Sequence, residues 1–414
     1  MSYDSTGLNA ARVIAELREL QQLTGNADGA QRVAWTDPWA RARAWEREKL
    51  ADLPVAFKID AAGNQWTTLH GASDRALLIG SHIDSVPNGG WLDGALGVVA
   101  GYEVLRHIAS FGTPPVTIHL IDWADEEARF GRSLLGSSAA AGTLQPDLVR
   151  GLKDKDGIAL PDALAAFDVD IDRALQAHAE LKDAAAYLEL HIEQGPVLES
   201  LNLPMGVVLG TCGVERHAVH FTGQSAHSGS TPMHLRRDAL AAASKLQLEM
   251  REIAKRHGGV GTLGSVVTKP GITTAIVGQC DCTLDLRHID AAELAAMYHE
   301  VMTASERFAH EEDVSVTWSH IFQIEPILFN AELIELGDAV IREVTGTSHR
   351  LPSGPLHDAA EISRAGVPTV MLFVQSLRGL SHAKEEDTRE DHLALAVEAL
   401  DRLALATMAW INRD

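Results

Sequence analysis

The stretch LLIGSHIDSVPNGGWLDGALGVVAGYEVL (residues 77–105) passes from a short apolar run into a segment with helical periodicity. The run is free of charge, which is typical of a strand buried on both faces of a parallel sheet. Between the run and the helix lie His82, Asp84 and Asp93. Side chains at the carboxyl end of such a strand lie where open α/β sheets bind their ligands. The stretch therefore predicts an α/β fold with polar residues grouped at one edge of its sheet.

The flanking segments extend this pattern. Helices are predicted near residues 10–22 and 37–51. After the helix that ends the opening stretch, "PVTIHLIDWA" is predicted as another strand. After a polar region at 145–183, the segments "AAAYLELHI" and "GVPTVMLFV" provide further strands, and a long amphipathic helix ends the chain. Alternation of strands and helices predicts a mixed, mostly parallel sheet covered by helices.

The middle of the chain has a different order. From about residue 214 to 323 the patterns read strand, helix, strand, strand, helix, strand, which is the ferredoxin-like βαββαβ unit. The second helix begins with Asp290 and Glu293, spaced as a capping box. We therefore predict a discontinuous metal-binding catalytic domain at 1–212 and 324–414, and an inserted ferredoxin-like domain at 213–323.

Composition narrows the class of protein. The 414 residues are 46% hydrophobic and 22% charged, which suits a two-domain globular protein. A net charge of −22 disfavours nucleic acid and anionic membranes as partners. The first residues lack the pattern of a signal peptide and no apolar run would span a bilayer, so we expect a cytoplasmic protein. Three cysteines cannot form a disulfide framework, and Cys280 and Cys282 fit one buried face of a strand.

Metal-capable side chains follow four predicted strands. They are His82, Asp84 and Asp93; Asp125, Glu126 and Glu127; His191 and Glu193; and His382. Each group alone has an ordinary explanation as a hydrogen-bonded or solvated residue. Adjacent acids at a buried strand end repel one another unless a cation or proton compensates. Imidazole and carboxylate together suit zinc, cobalt or manganese, so the set predicts a metal site.

Several motifs carry a family resemblance. "GSHIDSVPNGGWLDGALG", "DEEARFGRSLLGS", "LELHIEQGPVLE", "FTGQSAHSGSTPMHLRRDAL", "LDLR", "SGPLHDA" and "GLSHAKEEDT" occur in this order. The chain resembles the amidohydrolase branch of the co-catalytic zinc aminoacylase and carboxypeptidase superfamily. That branch includes N-carbamoyl-L-amino acid amidohydrolases, β-ureidopropionase and allantoate amidohydrolase. The resemblance implies an α/β catalytic domain with an inserted lid and dimerisation domain.

The resemblance also implies a two-metal centre. His82 and His191 would bind one ion, Glu127 and His382 the other, and Asp93 would bridge them. His191 favours the amidohydrolase branch, because peptidase relatives usually have an acidic residue there. The expected ions are two divalent cations per subunit, zinc first, with manganese, cobalt or nickel as alternatives.

Two further acids would complete the centre. The resemblance assigns Glu126 as general base and Asp84 as the carboxylate that orients the imidazole of His82. Two close cations acidify a bound water and polarise the scissile carbonyl. A carboxylate that is not a ligand can then transfer the proton to the leaving nitrogen.

The resemblance places substrate recognition partly in the inserted domain. His227 would stabilise the oxyanion in a neighbouring subunit's site, and Gln194 and Arg287 would bind substrate. Each also has a structural interpretation: a loop histidine, a local amide hydrogen bond, and a strand arginine beside Asp285. Arg216 could contact an anionic substrate, but pairing with acids is the preferred interpretation.

Two departures from the family pattern concern the substrate pocket. "PGITTAIVG" places Thr274 where relatives usually have a recognition asparagine, which removes the amide's reach and second donor. "SGPLHDA" has Pro355 and Leu356 where small residues are common, next to the candidate substrate contact His357.

Three functions remain open on the sequence. The first is hydrolysis of an N-carbamoyl-L-amino acid, N-carbamoyl-β-alanine or allantoate by a homodimer. The second is hydrolysis of an N-acyl amino acid, an amino acid conjugate or a dipeptide, which Thr274 favours. The third is a metal-stabilised binding protein without turnover, which the presence of Glu126 disfavours. Either enzyme would act on a small-molecule amide.

Overall fold

The structure is a computed structural model that describes residues 7–413. Its strands are β1 (Gly25–Asn26), β2 (Gly29–Ala30), β3 (Val55–Ile59), β4 (Gln65–Leu69), β5 (Ala76–His82), β6 (Thr117–Trp123), β7 (Ala184–Ile192), β8 (Met205–Thr211), β9 (Gly213–Thr222), β10 (Val260–Lys269), β11 (Gln279–His288), β12 (Ser315–Ile324), β13 (Ile327–Leu328), β14 (Arg350–Ser353) and β15 (Thr369–Val374). Its α-helices are α1 (Ala10–Thr24), α2 (Asp37–Lys49), α3 (Ala95–Ser110), α4 (Leu135–Ala141), α5 (Pro146–Val149), α6 (Leu160–Ala165), α7 (Val197–Ser200), α8 (Ala239–His257), α9 (Ala291–Glu311), α10 (Ala331–Thr345), α11 (Asp358–Arg364) and α12 (Glu390–Ile411). Short 3-10 helices cover Ala174–Leu181, Met233–Leu235 and Leu377–Gly379.

The described residues fall into two compact units. The first runs to Leu209 and resumes at Phe329, and the second is Gly210–Leu328. The first contains most of a nine-stranded sheet in the order β13-β8-β15-β7-β5-β6-β4-β3, with β14 paired to β8. β15, β7, β5 and β6 are mutually parallel, whereas β8, β4 and β3 join antiparallel. The predicted α/β class with a mostly parallel central sheet is confirmed.

The central strands are buried because helices cover them. All seven residues of β5 are buried, as are those of β15. Apolar side chains of α1, α3, α10 and α12 belong with these strands to one continuous core. In parallel strands the carboxyl ends lie at one edge, so His82, Trp123, Ile192 and Val374 end their strands at that edge.

The second unit is a four-stranded antiparallel sheet in the order β10-β11-β9-β12, packed with α8 and α9 around a separate core. Its order along the chain is β9-α8-β10-β11-α9-β12, the predicted ferredoxin-like unit. Burial alternates along β11, where Cys280 and Cys282 point into the core as free thiols.

The predicted capping box at α9 forms only in part. The Asp290 carboxylate accepts hydrogen bonds from the backbone N–H groups of Ala292 and Glu293, as expected of an N-cap. The Glu293 side chain instead pairs with His257, and the Asp290 N–H donates to His288 Nδ1. The reciprocal half of the box is absent here because two histidines compete for its partners.

Within residues 7–413, no helix is both long enough and apolar enough to cross a membrane.

Candidate metal centre

Parallel strands bring the candidate ligands to one edge of the main sheet. His82 is the last residue of β5, and Asp93 lies just before α3. Glu127 follows β6, His191 is the penultimate residue of β7, and His382 follows β15. Neighbouring strands of a parallel sheet end at the same level, so residues distant in sequence meet there.

Asp93 lies between two sets of donors. Its Oδ1 is 3.2 Å from His191 Nε2 and 3.9 Å from His82 Nε2. Its Oδ2 is 3.4 Å from His382 Nε2, which is 3.2 Å from Glu127 Oε2. The ligand atoms of His82, Asp93 and His191 lie within 4.8 Å of one another, and so do those of Asp93, Glu127 and His382. One carboxylate thus belongs to both triplets, with one oxygen directed at each.

The two buried histidines are oriented by backbone carbonyls. His191 Nδ1 lies 2.9 Å from the carbonyl oxygen of Ile192, and His82 Nδ1 lies 3.2 Å from that of Asp84. A carbonyl can only accept, so each Nδ1 carries a hydrogen, which leaves Nε2, on the side of Asp93, as the nitrogen that can bind a metal. This is the tautomer that a metal ligand requires.

Asp84 contacts both sides of this site. Its Oδ1 is 3.6 Å from His82 Nδ1, farther than its own carbonyl oxygen. Its carboxylate also accepts hydrogen bonds from the backbone N–H groups of Glu126 and Glu127, at 3.4 and 3.2 Å. Asp84 therefore fixes the turn of the adjacent acids as well as the imidazole.

The backbone turns sharply after three of the strands. Asp125, Gln194 and His382 have φ angles of 55°, 56° and 55°, in the left-handed region that L residues rarely adopt. Such conformations cost roughly 1 kcal/mol or more and persist where surrounding contacts enforce them, as at functional sites. The turns at Asp125 and Gln194 come two residues after β6 and β7, and the turn at His382 lies in the loop that follows β15.

Gly94 makes room for His82. It has a φ of 62° at the start of α3, and a Cβ added there would lie 2.3 Å from His82 Cε1. No side chain fits at that distance. The glycine therefore allows α3 to begin directly behind the imidazole.

Glu126 is buried beside the triplets without belonging to either of them. Its Oε2 lies 3.7 Å from His82 Nε2, and its side chain is 9% exposed. Burial raises the pKa of Glu126 well above its usual range and the nearby charge of Glu127 adds to this, while His82 opposes it. A carboxyl with raised proton affinity beside a metal-capable cluster is suited to proton transfer.

A second group of residues supports Asp93 from behind. Glu386 Oε1 accepts hydrogen bonds from the backbone N–H groups of Leu92 and Asp93, at 3.1 and 3.0 Å. Ser381 Oγ lies 2.8 Å from Asp93 Oδ2, and Gln194 Nε2 donates to the same oxygen at 2.9 Å. The orientation of Asp93 is thus fixed through both its backbone and its carboxylate.

Comparison with known proteins identifies the family of this site. Residues 78–406 match the family described as "Peptidase family M20/M25/M40", a range that contains every candidate ligand. The chain belongs to this family. The resemblance inferred from the sequence is confirmed.

Curated members of the M20/M25/M40 family similar to this chain are named amidohydrolases. An N-carbamoyl-L-amino acid amidohydrolase of Geobacillus stearothermophilus is 35% identical over 379 residues, covering 90% of this chain and 92% of that protein. An allantoate amidohydrolase of Escherichia coli is 33% identical, with 93% and 94% covered. These relatives confirm the predicted enzyme class.

Solved structures agree over almost the whole chain. A hydantoinase/carbamoylase family amidase from Burkholderia ambifaria has a TM-score of 0.88 at 31% identity, covering 97% of this chain and 96% of that one. A second such amidase, from Burkholderia multivorans, has a TM-score of 0.87 at 29% identity, with 97% and 98% covered. The fold of this M20/M25/M40 protein is therefore that of the amidase group.

The donor set of this M20/M25/M40 chain fits divalent metal ions. Each triplet combines imidazole nitrogen with carboxylate oxygen, the ligand types that zinc and its neighbours in the first transition row accept. His82, Asp93 and His191 are buried, so their arrangement is fixed by packing. His382 is half exposed, which leaves the second triplet open on one side.

The predicted substrate residues of the second unit form two local groups. His227 and Thr274 lie on paired loop segments, where the Ser228 N–H donates to the Thr274 carbonyl oxygen at 2.9 Å and His227 itself is exposed. Arg216 and Arg287 both bind the Asp285 carboxylate, at 2.6 and 2.8 Å. Both arginines thus pair with an acid, which is the alternative to substrate binding that the sequence left open.

The remaining predicted residues lie in the first unit. His357 is buried, with its ring centroid 4.4 Å from that of His191, and Glu189, His191 and His357 form a further compact group of possible ligands. Glu193, which the sequence placed at a strand end, accepts hydrogen bonds from the N–H groups of Val197 and Leu198 and so caps α7.

Sequence reasoning missed Glu386, Ser381 and Arg32. The first two flank His382 in "SHAKEED", and that proximity was an available signal. Arg32 stands in a loop after β2, where the sequence offers no periodicity or motif to single it out.

Proposed function

We propose that the protein is a two-metal amidohydrolase that cleaves the carbamoyl or related C–N bond of a small amino-acid-like molecule. The substrate classes are N-carbamoyl-L-amino acids, N-carbamoyl-β-alanine and allantoate, in line with what the named relatives act on. The observation that carries the proposal is Asp93, whose two oxygens face two separate donor sets beside the buried Glu126.

His82 and His191 would hold one ion, Glu127 and His382 the other, and Asp93 both. When bound, two divalent cations acidify a water and polarise the scissile carbonyl. Zinc suits the mixed nitrogen and oxygen donors, and manganese, cobalt and nickel accept the same set.

Glu126 would be the general base. Its Oε2 would accept the proton of the attacking water and return it to the leaving nitrogen, so that the bond breaks without an unstable amide anion. The raised pKa of Glu126 favours the first transfer, and the hydrogen bond from its backbone N–H to Asp84 fixes the backbone position of Glu126.

The substrate contacts are proposed from the resemblance. Gln194 and His357 would line the pocket beside the metal ligands, His227 would stabilise the oxyanion, and Arg216 or Arg287 would bind a substrate carboxylate. Asp285 competes for both arginines, so substrate would have to share or replace that pairing.

The inserted unit would act as lid and dimerisation domain, which makes the enzyme a homodimer, and its compartment would be the cytoplasm. A second candidate activity is hydrolysis of an N-acyl amino acid, a conjugate or a dipeptide. Thr274 favours it, because a hydroxyl replaces the amide that relatives usually present to the substrate.

The test is ammonia release by metal-reconstituted protein given N-carbamoyl-L-amino acids, N-carbamoyl-β-alanine or allantoate. We expect ammonia from the wild type, and a loss of about 10²–10⁴-fold in kcat for Glu126→Gln, which retains its metal. Glu127→Gln is the matched control and should lose metal as well as turnover.

Absence of ammonia from all these substrates, with metal demonstrably bound, would refute the carbamoyl proposal. Release of a carboxylic acid from N-acyl amino acids under the same conditions would then establish the second candidate.

A further inference from the structure

Arg32 is a fully buried cation attached to the segment that follows His82. None of its surface is exposed. Its Nε donates to the carbonyl oxygen of Ile83 at 2.8 Å, and its backbone N–H donates to Ser85 Oγ at 3.1 Å. The Ser85 N–H donates in return to the Arg32 carbonyl oxygen at 3.0 Å. These contacts on both sides of Asp84 fix the guanidinium close to the ligand-bearing loop.

The far end of this side chain lacks protein partners. Nη1 and Nη2 are buried, and neither has a hydrogen-bond acceptor among the residues the structure describes. A buried charge is costly unless opposite charges compensate it. The position of Arg32 therefore needs an electrostatic explanation that its hydrogen bonds do not give.

Carboxylates of the metal centre provide that compensation. Burial lowers the pKa of Arg32 to about 10, while the charges of Glu386, Asp84, Asp93 and Glu127 act to raise it. The guanidinium thus stays charged at neutral pH. Two of these acids are proposed ligands, and the other two hydrogen-bond to the backbone of ligand residues.

We propose that Arg32 is a positioning residue that provides a fixed countercharge for the metal centre. The inference rests on the proposed two-metal function. Without ions, Arg32 offsets the mutual repulsion of the clustered carboxylates and keeps the empty site folded. With ions bound, the positive charge of Arg32 repels them and lowers the affinity of the site for metal.

The test compares Arg32→Met, which removes the charge, with Arg32→Lys, which keeps it but loses the fork of donors. Metal affinity is measured by competition with a chromophoric chelator, and thermal unfolding is followed with chelator and with saturating Zn²⁺. For Arg32→Met we expect Zn²⁺ affinity to rise roughly tenfold, because a repelling charge is gone. Its metal-free protein should melt lower than the wild type, so the rise in Tm on adding Zn²⁺ should be larger. Arg32→Lys should remain near the wild type in both measurements.

A merely structural role predicts otherwise. If Arg32→Met lowers the Tm equally with and without Zn²⁺, weakens Zn²⁺ binding, or behaves as Arg32→Lys does, the inference is wrong. If metal-free Arg32→Met fails to fold, the second substitution Glu386→Gln is added. It removes one of the mutually repelling carboxylate charges and retains an Oε1 acceptor. Recovery of folding in that double variant supports the countercharge, and failure to recover overturns it.

The outcome also separates this inference from the proposed function. Wild-type protein that binds no Zn²⁺ would refute the two-metal proposal itself. Normal Zn²⁺ binding by the wild type with unchanged affinity in Arg32→Met would refute only the role of Arg32.

Discussion

At the scale of single residues, the site is built from side chains whose freedom is removed by several neighbours at once. Asp93 illustrates this, since Glu386 holds its backbone while Ser381 and Gln194 hold one carboxylate oxygen. The strand ends predicted a larger set of metal-capable residues that contains all five candidate ligands, and the family resemblance selected these five from it. Arg32 could not be selected in this way, because its importance depends on which loops meet in space.

Gly94→Ala tests how closely α3 packs behind His82. The added methyl would lie 2.3 Å from the imidazole, so the ring must leave its present position. We expect metal affinity to fall about 10–100-fold, the usual effect of disturbing the support of a ligand. Chelator competition measures it.

The matched control for this change is Gly346→Ala. Gly346 also has a positive φ, 82°, but no atom of the described residues lies within 4 Å of a Cβ added there. It should lose about 1 kcal/mol of stability to backbone strain and keep its metal affinity. Equal metal affinity in Gly94→Ala and wild type would contradict the packing argument.

At the scale of elements, strand patterns predicted the architecture well because burial dictates them. β5 and β15 read as continuous apolar runs since both faces are covered, and β11 alternates since one face is not. Antiparallel addition of β8 beside β15 could not be foreseen, because no local pattern specifies a neighbour's direction. The half-formed capping box at α9 failed for a similar reason, as His257 attracts Glu293 from another helix.

Asp290→Ala tests the half of the cap that does form. The variant leaves two backbone N–H groups of α9 without their acceptor, which should cost about 1 kcal/mol of unfolding free energy. Glu293→Gln is the control, and it should cost less than about 0.5 kcal/mol because the Glu293 side chain is half exposed to solvent. Urea titration of both variants measures the two losses of unfolding free energy. A larger loss in Glu293→Gln than in Asp290→Ala would contradict this account and indicate that the reciprocal capping box forms.

At the scale of the whole molecule, the free energy of unfolding depends on pH wherever the pKa of a group differs between the folded and the unfolded chain. His119 on β6 is partly buried, with Nδ1 2.9 Å from Thr68 Oγ1. Burial lowers the pKa of His119 to about 4, and the charge of His70 acts in the same direction. The unfolded chain therefore takes up a proton at higher pH than the folded chain does.

This difference predicts acid sensitivity. As pH falls from about 6.5 towards 4, His119 should cost the chelated, metal-free protein about 1–2 kcal/mol of stability, allowing for its partial exposure. His119→Gln keeps a hydrogen-bonding group beside Thr68 but does not titrate. Urea unfolding at pH 7 and pH 5 should show a smaller loss in the variant, whereas an identical loss would assign the effect to other groups.

The central claim is that one carboxylate, Asp93, joins two metal sites. The most direct measurement is calorimetric titration of metal-free protein with Zn²⁺, with bound metal counted by elemental analysis. We predict two ions per wild-type chain and one in His382→Ala, which removes a ligand from the second triplet only. A single ion per wild-type chain, or none, would contradict the account.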